Sequence, residues 1–294
     1  MIAESGAEFL NSIRLRAYAK INWSLFVTGK RQDGYHTLDT LLQSVSLYDG
    51  IEIIRTPSGL ELEQRGGFAG KKESNLCWRA ARAFREAVGL EAGCIIRLNK
   101  YIPVGAGMGG GSADAAAVLV GLNMLYRTGL SQTHMEQIAL KLGADVPYCI
   151  MAKTALSEGI GEVLTEVAPL PDCFVVVAKP TISVSTKMVY ENLHANELQH
   201  HPDVAGMVDA LKQGDLSGVA SRMENVLETV TTKLYPQIEE IKQTMKESGA
   251  ENAIMSGSGP TVFGLYTEKA TAEQAAEKIR QQYVLSEVYV TQPC

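Results

Sequence analysis

The densest glycine run of the chain reads Pro103-Val-Gly105-Ala-Gly107-Met-Gly109-Gly110-Gly111-Ser112-Ala-Asp114, with five glycines in seven residues. Because glycine loses more conformational freedom on folding than any other residue, such a run is favoured only where the backbone must approach another group closely. It follows an apolar strand pattern at 94–98 and leads into a small-residue helix pattern from about Ser112 to Tyr126. The unpaired N–H groups and partial positive charge of a helix N-terminus attract anions. The run therefore predicts a phosphate-binding loop.

The residues around this loop separate it from other glycine motifs. The Walker pattern G-x-x-x-x-G-K-[ST] is absent because no lysine follows the glycines. The dinucleotide pattern G-x-G-x-x-G is formally present at Gly105, Gly107 and Gly110. That fold also needs an acidic residue about 20 positions later, whereas residues 128–132 read Thr-Gly-Leu-Ser-Gln. A glycine hinge with Ser112 as the helix N-cap is the remaining structural interpretation.

An alternating segment lies upstream of the loop at 13–27. Apolar residues occupy its odd positions, while Lys20 and Asn22 are among the polar residues at even positions up to 24. This period of two predicts a strand with one buried face. On their own, Lys20 and Asn22 are typical of a solvated strand surface. A turn at 29–34 and a second extended segment at 38–55 follow.

Strand and helix patterns mix through the rest of the chain. Helix patterns cover about 74–89, 131–142, 203–212, 215–228, 234–248 and 271–283, and strand patterns cover 174–178, 253–256, 261–266 and 286–290. The mixture in both halves predicts an α+β protein of two domains. A proline-rich joint near 168–171 places the boundary, so we expect an N-terminal domain at 1–168 and a C-terminal domain at 169–294.

Composition limits the class of protein. Of 294 residues, 46% are hydrophobic and 20% charged, which is typical of a globular protein. The net charge of −6 disfavours binding to nucleic acid by bulk charge. No stretch approaches the roughly 20 apolar residues of a membrane helix, and five cysteines without a C-x-x-C pair are typical of thiols in a reducing cytosol. We therefore expect a cytoplasmic protein without a membrane anchor.

The glycine loop resembles the phosphate loop of the kinase superfamily that includes galactokinase, homoserine kinase, mevalonate kinase and phosphomevalonate kinase. Two further segments support the resemblance: residues 256–261, Ser-Gly-Ser-Gly-Pro-Thr, are similar to its C-terminal glycine motif, and residues 14–24 to its N-terminal motif. The resemblance implies a ribosomal-protein-S5-like N-terminal domain that binds ATP and a ferredoxin-like C-terminal domain that binds substrate. The implied ATP-binding residues are Pro103, Val104, Gly105, Ala106, Gly107, Met108, Gly109, Gly110, Gly111, Ser112 and Ala113.

Three other blocks narrow the resemblance to one kinase family. They are Ala19-Lys-Ile-Asn22, Gly29-Lys-Arg-Gln-Asp-Gly-Tyr-His36 and Gly143-Ala-Asp-Val-Pro-Tyr148. These blocks resemble those of the 4-diphosphocytidyl-2-C-methyl-D-erythritol kinases, and the resemblance spans about residues 14–290. It implies a phosphotransferase with an alcohol acceptor, in which ATP phosphorylates the 2-hydroxyl of that cytidine diphosphate compound. The step belongs to the non-mevalonate pathway of isoprenoid (terpenoid) biosynthesis.

The resemblance assigns the chemistry to Lys20 and Asp145. Phosphoryl transfer depends on in-line positioning and charge stabilisation, and the acceptor hydroxyl must also lose its proton. Asp145 is the implied proton acceptor, although after a helix stop it is equally typical of a turn. Lys20 is implied to lie beside it, where a positive charge favours the ionised carboxylate and the reacting oxygens. Asn22 is implied to hydrogen-bond the substrate or Asp145.

The same resemblance assigns the cytidine end of the substrate. Tyr35 and His36 follow the tight turn, where the sequence alone is typical of surface residues. Histidine offers one donor and one acceptor to a cytosine edge, and aromatic rings stack on bases. Tyr190 is implied to stack on the other side of the base, with packing of its own helix as the alternative. Thr181 is expected to border the same pocket.

Magnesium is expected with ATP because it screens the β- and γ-phosphates. Mevalonate kinase has a magnesium-binding serine in this loop where this chain has Gly110, so the protein ligands of the metal stay unassigned. The chain also departs from the family pattern at Ala152-Lys153, where glycines are usual. Two alternatives stay open: another kinase of the superfamily, such as mevalonate or homoserine kinase, and a non-catalytic nucleotide or sugar sensor. The sequence is compatible with a monomer or a homodimer.

Overall fold

The computed structural model describes residues 11–32, 34, 36–67, 70–195, 198 and 200–294. Internal contacts divide the chain into two units. Unit 1 comprises the residues up to Ala17, Asp49–Tyr101 and Gly111–Ile150, and unit 2 comprises Tyr18–Tyr48, Ile102–Gly110 and Met151–Cys294. The units interleave along the chain, whereas the boundary expected at 168/169 divides it linearly. That boundary therefore stays a prediction.

Two long strands, β1 (Ser12–Lys30) and β2 (His36–Thr56), open the described chain. The beginning of β1 alternates as expected, but from Ala17 to Leu25 nearly every residue is buried. The prediction of a single buried face is wrong there: Lys20 is only 5% exposed and Asn22 only 3%. Polar side chains can occupy such a strand because they find protein partners in place of water.

Unit 1 combines a short ladder with helices. β3 (Leu60–Arg65) pairs parallel with β4 (Gly93–Asn99), which pairs antiparallel with the second half of β2. The helices are α1 (Leu76–Val88), α2 (Gly110–Tyr126), α3 (Gln132–Leu140) and α4 (Val146–Met151), with a 3-10 turn at Lys72–Ser74. Asn75 caps α1 by accepting the N–H of Cys77, and Gly89 ends it in the left-handed conformation. The alanine-rich α2 is buried along most of its length, because its small side chains pack into the unit 1 core.

Unit 2 contains a four-stranded sheet and the remaining described helices. Its elements are β5 (Ala155–Glu158), β6 (Val163–Glu166), β7 (Phe174–Pro180), α5 (Thr186–Glu191), α6 (Val204–Gln213), α7 (Leu216–Ser221), β8 (Glu224–Asn225), α8 (Glu228–Leu234), α9 (Gln237–Glu247), β9 (Asn252–Met255), β10 (Val262–Tyr266), α10 (Lys269–Gln282) and β11 (Leu285–Thr291). The sheet has the antiparallel order β11-β7-β10-β9.

Strand β7 has a continuous apolar sequence because both of its faces are buried. Val175 and Val177 belong to one core cluster, while Val176 and Ala178 belong to another that includes residues of α9 and α10. Successive side chains of a strand point to opposite faces, so burial of both faces favours apolar residues at every position of 175–178. The mixed strands and helices of the chain agree with the predicted α+β class.

One predicted helix, at 215–228, is wrong in detail. The structure divides this segment into α7, the short strand β8 and the beginning of α8. Glu224 and Asn225 pair in parallel with Ser24 and Leu25 of β1, and the Asn225 side chain binds backbone carbonyls elsewhere. These long-range hydrogen bonds replace the local ones of a helix.

Two further features concern the state of the cysteines and the length of the helices. All five thiols are free; Cys77, Cys94 and Cys173 are buried, Cys149 is half-buried and Cys294 is exposed. Within the described ranges, no helix combines the length and apolar character needed to cross a lipid bilayer.

Candidate active site

The phosphate loop leads into α2 at Gly110, slightly before the helix start predicted near Ser112. Gly105, Gly107 and Gly109 have φ angles of 63°, 73° and 66°, a region that L side chains rarely adopt. The residues between them, Ala106 and Met108, are 2% and 1% exposed and belong to a core cluster of unit 2. Two apolar side chains therefore anchor the loop, while the glycines supply its backbone bends.

A second glycine turn, residues 256–259, packs against this loop. The Ser256 hydroxyl donates to the carbonyl of Gly107 at 3.0 Å. A Cβ atom on Gly107 would lie 2.2 Å from the Ser256 carbonyl oxygen, so only glycine fits there. The buried Asn225 side chain steadies the turn by donating to the carbonyl of Gly257 at 2.7 Å. Sequence reasoning recognised the second glycine motif but missed Asn225, which fell inside a predicted helix.

Lys20 contacts the loop through its backbone and its side chain. Its N–H donates to the carbonyl of Met108 at 2.9 Å. A Cβ atom on Gly109 would lie 2.9 Å from Cγ of Lys20, which shows how closely the lysine stem packs on the loop. A buried cation in this position favours an anionic ligand.

Asn22 and Thr40 hold the head of Lys20 in place. The Lys20 ammonium donates to Oδ1 of Asn22 at 2.9 Å, and the Asn22 amide donates to the Thr40 hydroxyl at 2.8 Å. Thr40 in turn donates to the carbonyl of Ser24 at 2.6 Å. Contact of Asn22 with substrate stays a prediction. Thr40 was missed because a threonine in a strand carries no signal of its own.

Asp145 is half-buried in the turn directly before α4. Its backbone carbonyl accepts the N–H of Cys149 at 3.2 Å, so the residue also helps to begin the helix. Asp145 belongs to unit 1 and Lys20 to unit 2. The pairing expected between them therefore stays a prediction.

The structure brings together two of the residues predicted to bind cytidine. The rings of His36, at the start of β2, and Tyr190, in α5, have centroids 5.1 Å apart and an interplanar angle of 34°. Burial, and then the charge of Lys30, lower the pKa of His36. The neutral imidazole keeps one donor and one acceptor. Tyr35 lies outside the described residues, and Thr181 is exposed just after β7.

Comparison with known proteins gives the family. The model of the GHMP kinases N terminal domain matches residues 75–153, and that of the GHMP kinases C terminal matches residues 207–285. A relative from Lachnospira eligens, named 4-diphosphocytidyl-2-C-methyl-D-erythritol kinase, is 45% identical over 284 residues, which are 96% of this chain and 99% of the relative. The chain belongs to this kinase family.

Other members of the 4-diphosphocytidyl-2-C-methyl-D-erythritol kinase family agree. A relative of the same name from Lachnoclostridium phytofermentans is 48% identical over 90% of this chain and 92% of its own length. A crystal structure of 4-(cytidine 5'-diphospho)-2C-methyl-D-erythritol kinase superposes with a TM-score of 0.82 at 34% identity, covering 96% of this chain and 99% of that chain. Membership confirms the predicted two-domain α+β fold and enzyme class: the chain is a small-molecule kinase with ATP as its cosubstrate.

Proposed function

We propose that this chain transfers the γ-phosphate of ATP to the 2-hydroxyl of 4-diphosphocytidyl-2-C-methyl-D-erythritol, a step of the non-mevalonate isoprenoid pathway. The observation that carries the proposal is the buried Lys20 packed on Gly109 of the phosphate loop. A cation beside a glycine loop and a helix N-terminus is suited to a polyanion. The choice of acceptor is supported by relatives at 45% and 48% identity that carry the name of this kinase.

The phosphates of ATP bind residues 103–113 in this proposal. The loop glycines have no side chains that could hinder the approach of phosphate to their backbone N–H groups. The orphan N–H groups at the start of α2 add to these donors. The buried second glycine turn keeps the loop in this conformation, so the donors are in place before ATP arrives.

Transfer proceeds by attack of the acceptor 2-hydroxyl oxygen on the γ-phosphorus. The hydroxyl proton passes to the carboxylate of Asp145, while the bond from the γ-phosphorus to the β–γ bridging oxygen breaks and ADP leaves. Lys20 stabilises the negative charge on the transferring phosphoryl oxygens. Asn22 positions the Lys20 ammonium through the hydrogen bond described above.

Side chains around α5 bind the cytidine end of the acceptor. His36 reads the cytosine edge through its donor and acceptor nitrogens, and Tyr190 stacks on the base. Tyr35 and Thr181 complete this end of the site. The closeness of the His36 and Tyr190 rings supports a shared role at one base.

Magnesium enters with ATP as part of the substrate. Across the described ranges, no group of three or more His, Cys, Asp and Glu side chains could hold a metal ion. Mg²⁺ keeps several waters and binds mainly to substrate phosphates in such sites, so a preformed carboxylate cage is unnecessary. The protein ligands of the metal stay unassigned.

A coupled assay of ADP release tests the proposal directly. The purified chain is given ATP and, in separate reactions, the cytidine diphosphate acceptor, mevalonate and homoserine. We expect turnover with the first compound and at least about 100-fold lower kcat/KM with the other two, because a site that hydrogen-bonds a base discriminates strongly against compounds that lack it. Turnover restricted to mevalonate or homoserine would overturn the acceptor. ATP binding without turnover of any compound would favour the sensor.

A further inference from the structure

Three buried ionisable side chains lie where the phosphate loop joins unit 1 in the chain. The chain leaves unit 1 after Tyr101 and returns to it at Gly111. Lys100 directly precedes Tyr101, and Asp114 lies in the first turns of α2, three residues after Gly111. The Lys100 ammonium donates to Oδ2 of Asp114 at 2.8 Å. This hydrogen bond joins the residues that flank the two ends of the loop.

Asp49 is the third member. It is an ion-pair partner of Lys100, and it also accepts the backbone N–H of Tyr101, the last residue before the loop. The side-chain exposures are 7% for Lys100, 0% for Asp49 and 5% for Asp114. Burial of such groups costs several kcal/mol per ion, and replacing a buried ion cluster by apolar residues is often neutral or stabilising. Stability alone is therefore a weak explanation for this cluster.

The protonation state of Asp114 follows from the same geometry. Burial, reinforced by the neighbouring charge of Asp49 and opposed by Lys100, raises the pKa of Asp114 to about 8. Oδ1 of Asp114 is buried and has no geometric hydrogen-bond partner among the described residues. Cys77 lies beside the cluster, where burial raises its pKa well above the ordinary value and keeps the thiol neutral.

We propose that Lys100, Asp49 and Asp114 are positioning residues of the phosphate loop, joined in a cluster that we call the loop clamp. Glycine-rich backbone has many conformations open to it, and fixing the two ends of the loop adds to the hold of the second glycine turn. Binding then costs less entropy, because the N–H donors are already arranged for the phosphates. The inference rests on the proposed function only in placing ATP at the loop.

Direct titration with a non-hydrolysable ATP analogue tests the clamp. Asp114→Ala removes one of the two carboxyl groups that accept from the Lys100 ammonium. We expect its Kd for the analogue to rise about tenfold, with affinity for the phosphoryl-acceptor substrate changed less than about twofold. Asp114→Asn keeps the shape and an oxygen for Lys100, so it is expected to retain near-wild-type affinity at pH 7. The core variant Phe84→Leu is the matched control, because Phe84 is fully buried in α1 of the same unit. It is expected to lower Tm with little change in Kd.

Unchanged analogue affinity in Asp114→Ala, or an equal loss of affinity for analogue and acceptor, would overturn the clamp. If Asp114→Ala does not fold, Asp49→Asn gives the same test. It weakens the hold on Lys100 while keeping an oxygen for the Tyr101 N–H, and a Kd equal to that of the wild type would again refute the inference. Failure of the proposed function looks different: the wild-type chain itself would then bind no analogue, or would bind it and phosphorylate no acceptor.

Discussion

At the scale of single residues, Lys20 shows how the site depends on burial. It is 5% exposed, and its stem lies against Gly109. A lysine rarely reaches this degree of burial without partners, and here Asn22 accepts from its ammonium at 2.9 Å. The positive charge is thus poorly hydrated and strongly oriented, which suits it to stabilise phosphate oxygens.

Asp145→Asn tests the proton acceptor. An amide cannot take the hydroxyl proton, so we expect kcat to fall by at least about 100-fold while the Kd for ATP stays within about twofold. Steady-state kinetics and nucleotide titration measure the two effects. Asp172→Asn, at an exposed carboxylate, serves as the control and is expected to leave both values unchanged. Turnover near that of the wild type in Asp145→Asn would show that another group takes the proton.

His36→Ala tests the cytidine site. Loss of the ring removes base contacts worth about 1–3 kcal/mol, so the acceptor KM is expected to rise about tenfold or more, with the ATP KM nearly constant. His201→Ala is a matched control, because His201 also lies against an aromatic ring, that of Phe26, at 4.8 Å between centroids. An equal rise in both KM values in His36→Ala would contradict the cytidine role.

Ala152→Gly tests a departure from the family pattern. Ala152 has a φ of 50°, a left-handed conformation that costs an L residue about 1–2 kcal/mol. Glycine relieves this strain but loses more entropy on folding, so we expect a net gain of about 0.5–1 kcal/mol in the free energy of unfolding. Thermal or urea unfolding measures it. The same replacement at Ala87, exposed in α1, is expected to destabilise; a loss at both positions would show that Ala152 is unstrained.

At the scale of elements, the two glycine segments act as one supporting structure. The Ser256 hydroxyl and carbonyl both contact Gly107, although the two residues are 149 positions apart. On the other side of the second turn, Ser258 and Thr186 share a hydrogen bond at 2.8 Å, which joins the turn to the start of α5. The turn therefore connects the phosphate loop with the helix that carries Tyr190.

Paired glycine substitutions separate backbone strain from this packing. Gly105 and Gly107 have similar positive φ angles, but a Cβ on Gly105 would contact nothing within 4 Å, whereas on Gly107 it would overlap the Ser256 carbonyl. We expect Gly105→Ala to lose about 1–2 kcal/mol of stability. Gly107→Ala is expected to lose a further 1–3 kcal/mol or so, and also affinity for ATP. Equal losses of unfolding free energy in the two variants would show that the close approach of Gly107 to the Ser256 carbonyl does not affect stability.

At the scale of the whole molecule, the loop clamp predicts a pH dependence of stability. The pKa of Asp114 is raised to about 8 in the folded chain, against roughly 3.9 when unfolded. Between these values the folded chain holds a proton that the unfolded chain has released, so the free energy of unfolding falls as pH rises. Lys100, whose pKa is raised by the two carboxylates against the effect of burial, stays charged throughout this window.

Asp114→Asn removes this titration. We therefore expect the stability of the variant relative to the wild type to increase from pH 5 to pH 8, by an amount on the order of 1 kcal/mol or more. Urea unfolding at several pH values measures the difference. A wild-type advantage that stays constant, or grows with pH, would contradict a raised pKa at Asp114.

Local patterns in the sequence were enough for the fold class and for much of the site. The glycine loop, its helix, the second glycine motif and the family blocks are short segments whose meaning depends on neighbouring residues, so they can be recognised without coordinates. Most strands and helices of unit 2 also follow from local periodicity. The helix predicted at 215–228 is wrong because Asn225 forms its hydrogen bonds with residues far away in the chain.

Only the tertiary structure decided which polar residues are buried. Lys20 and Asn22 alternate with apolar residues just as solvated side chains would, and their burial follows from the loop and from Thr40. The loop clamp likewise depends on Asp49 meeting Lys100, 51 residues later. Periodicity reports one strand or helix at a time, whereas desolvation depends on every segment packed around a side chain. For that reason the phosphate loop can be recognised in the sequence, whereas the burial of the charged groups that support it follows only from the tertiary structure.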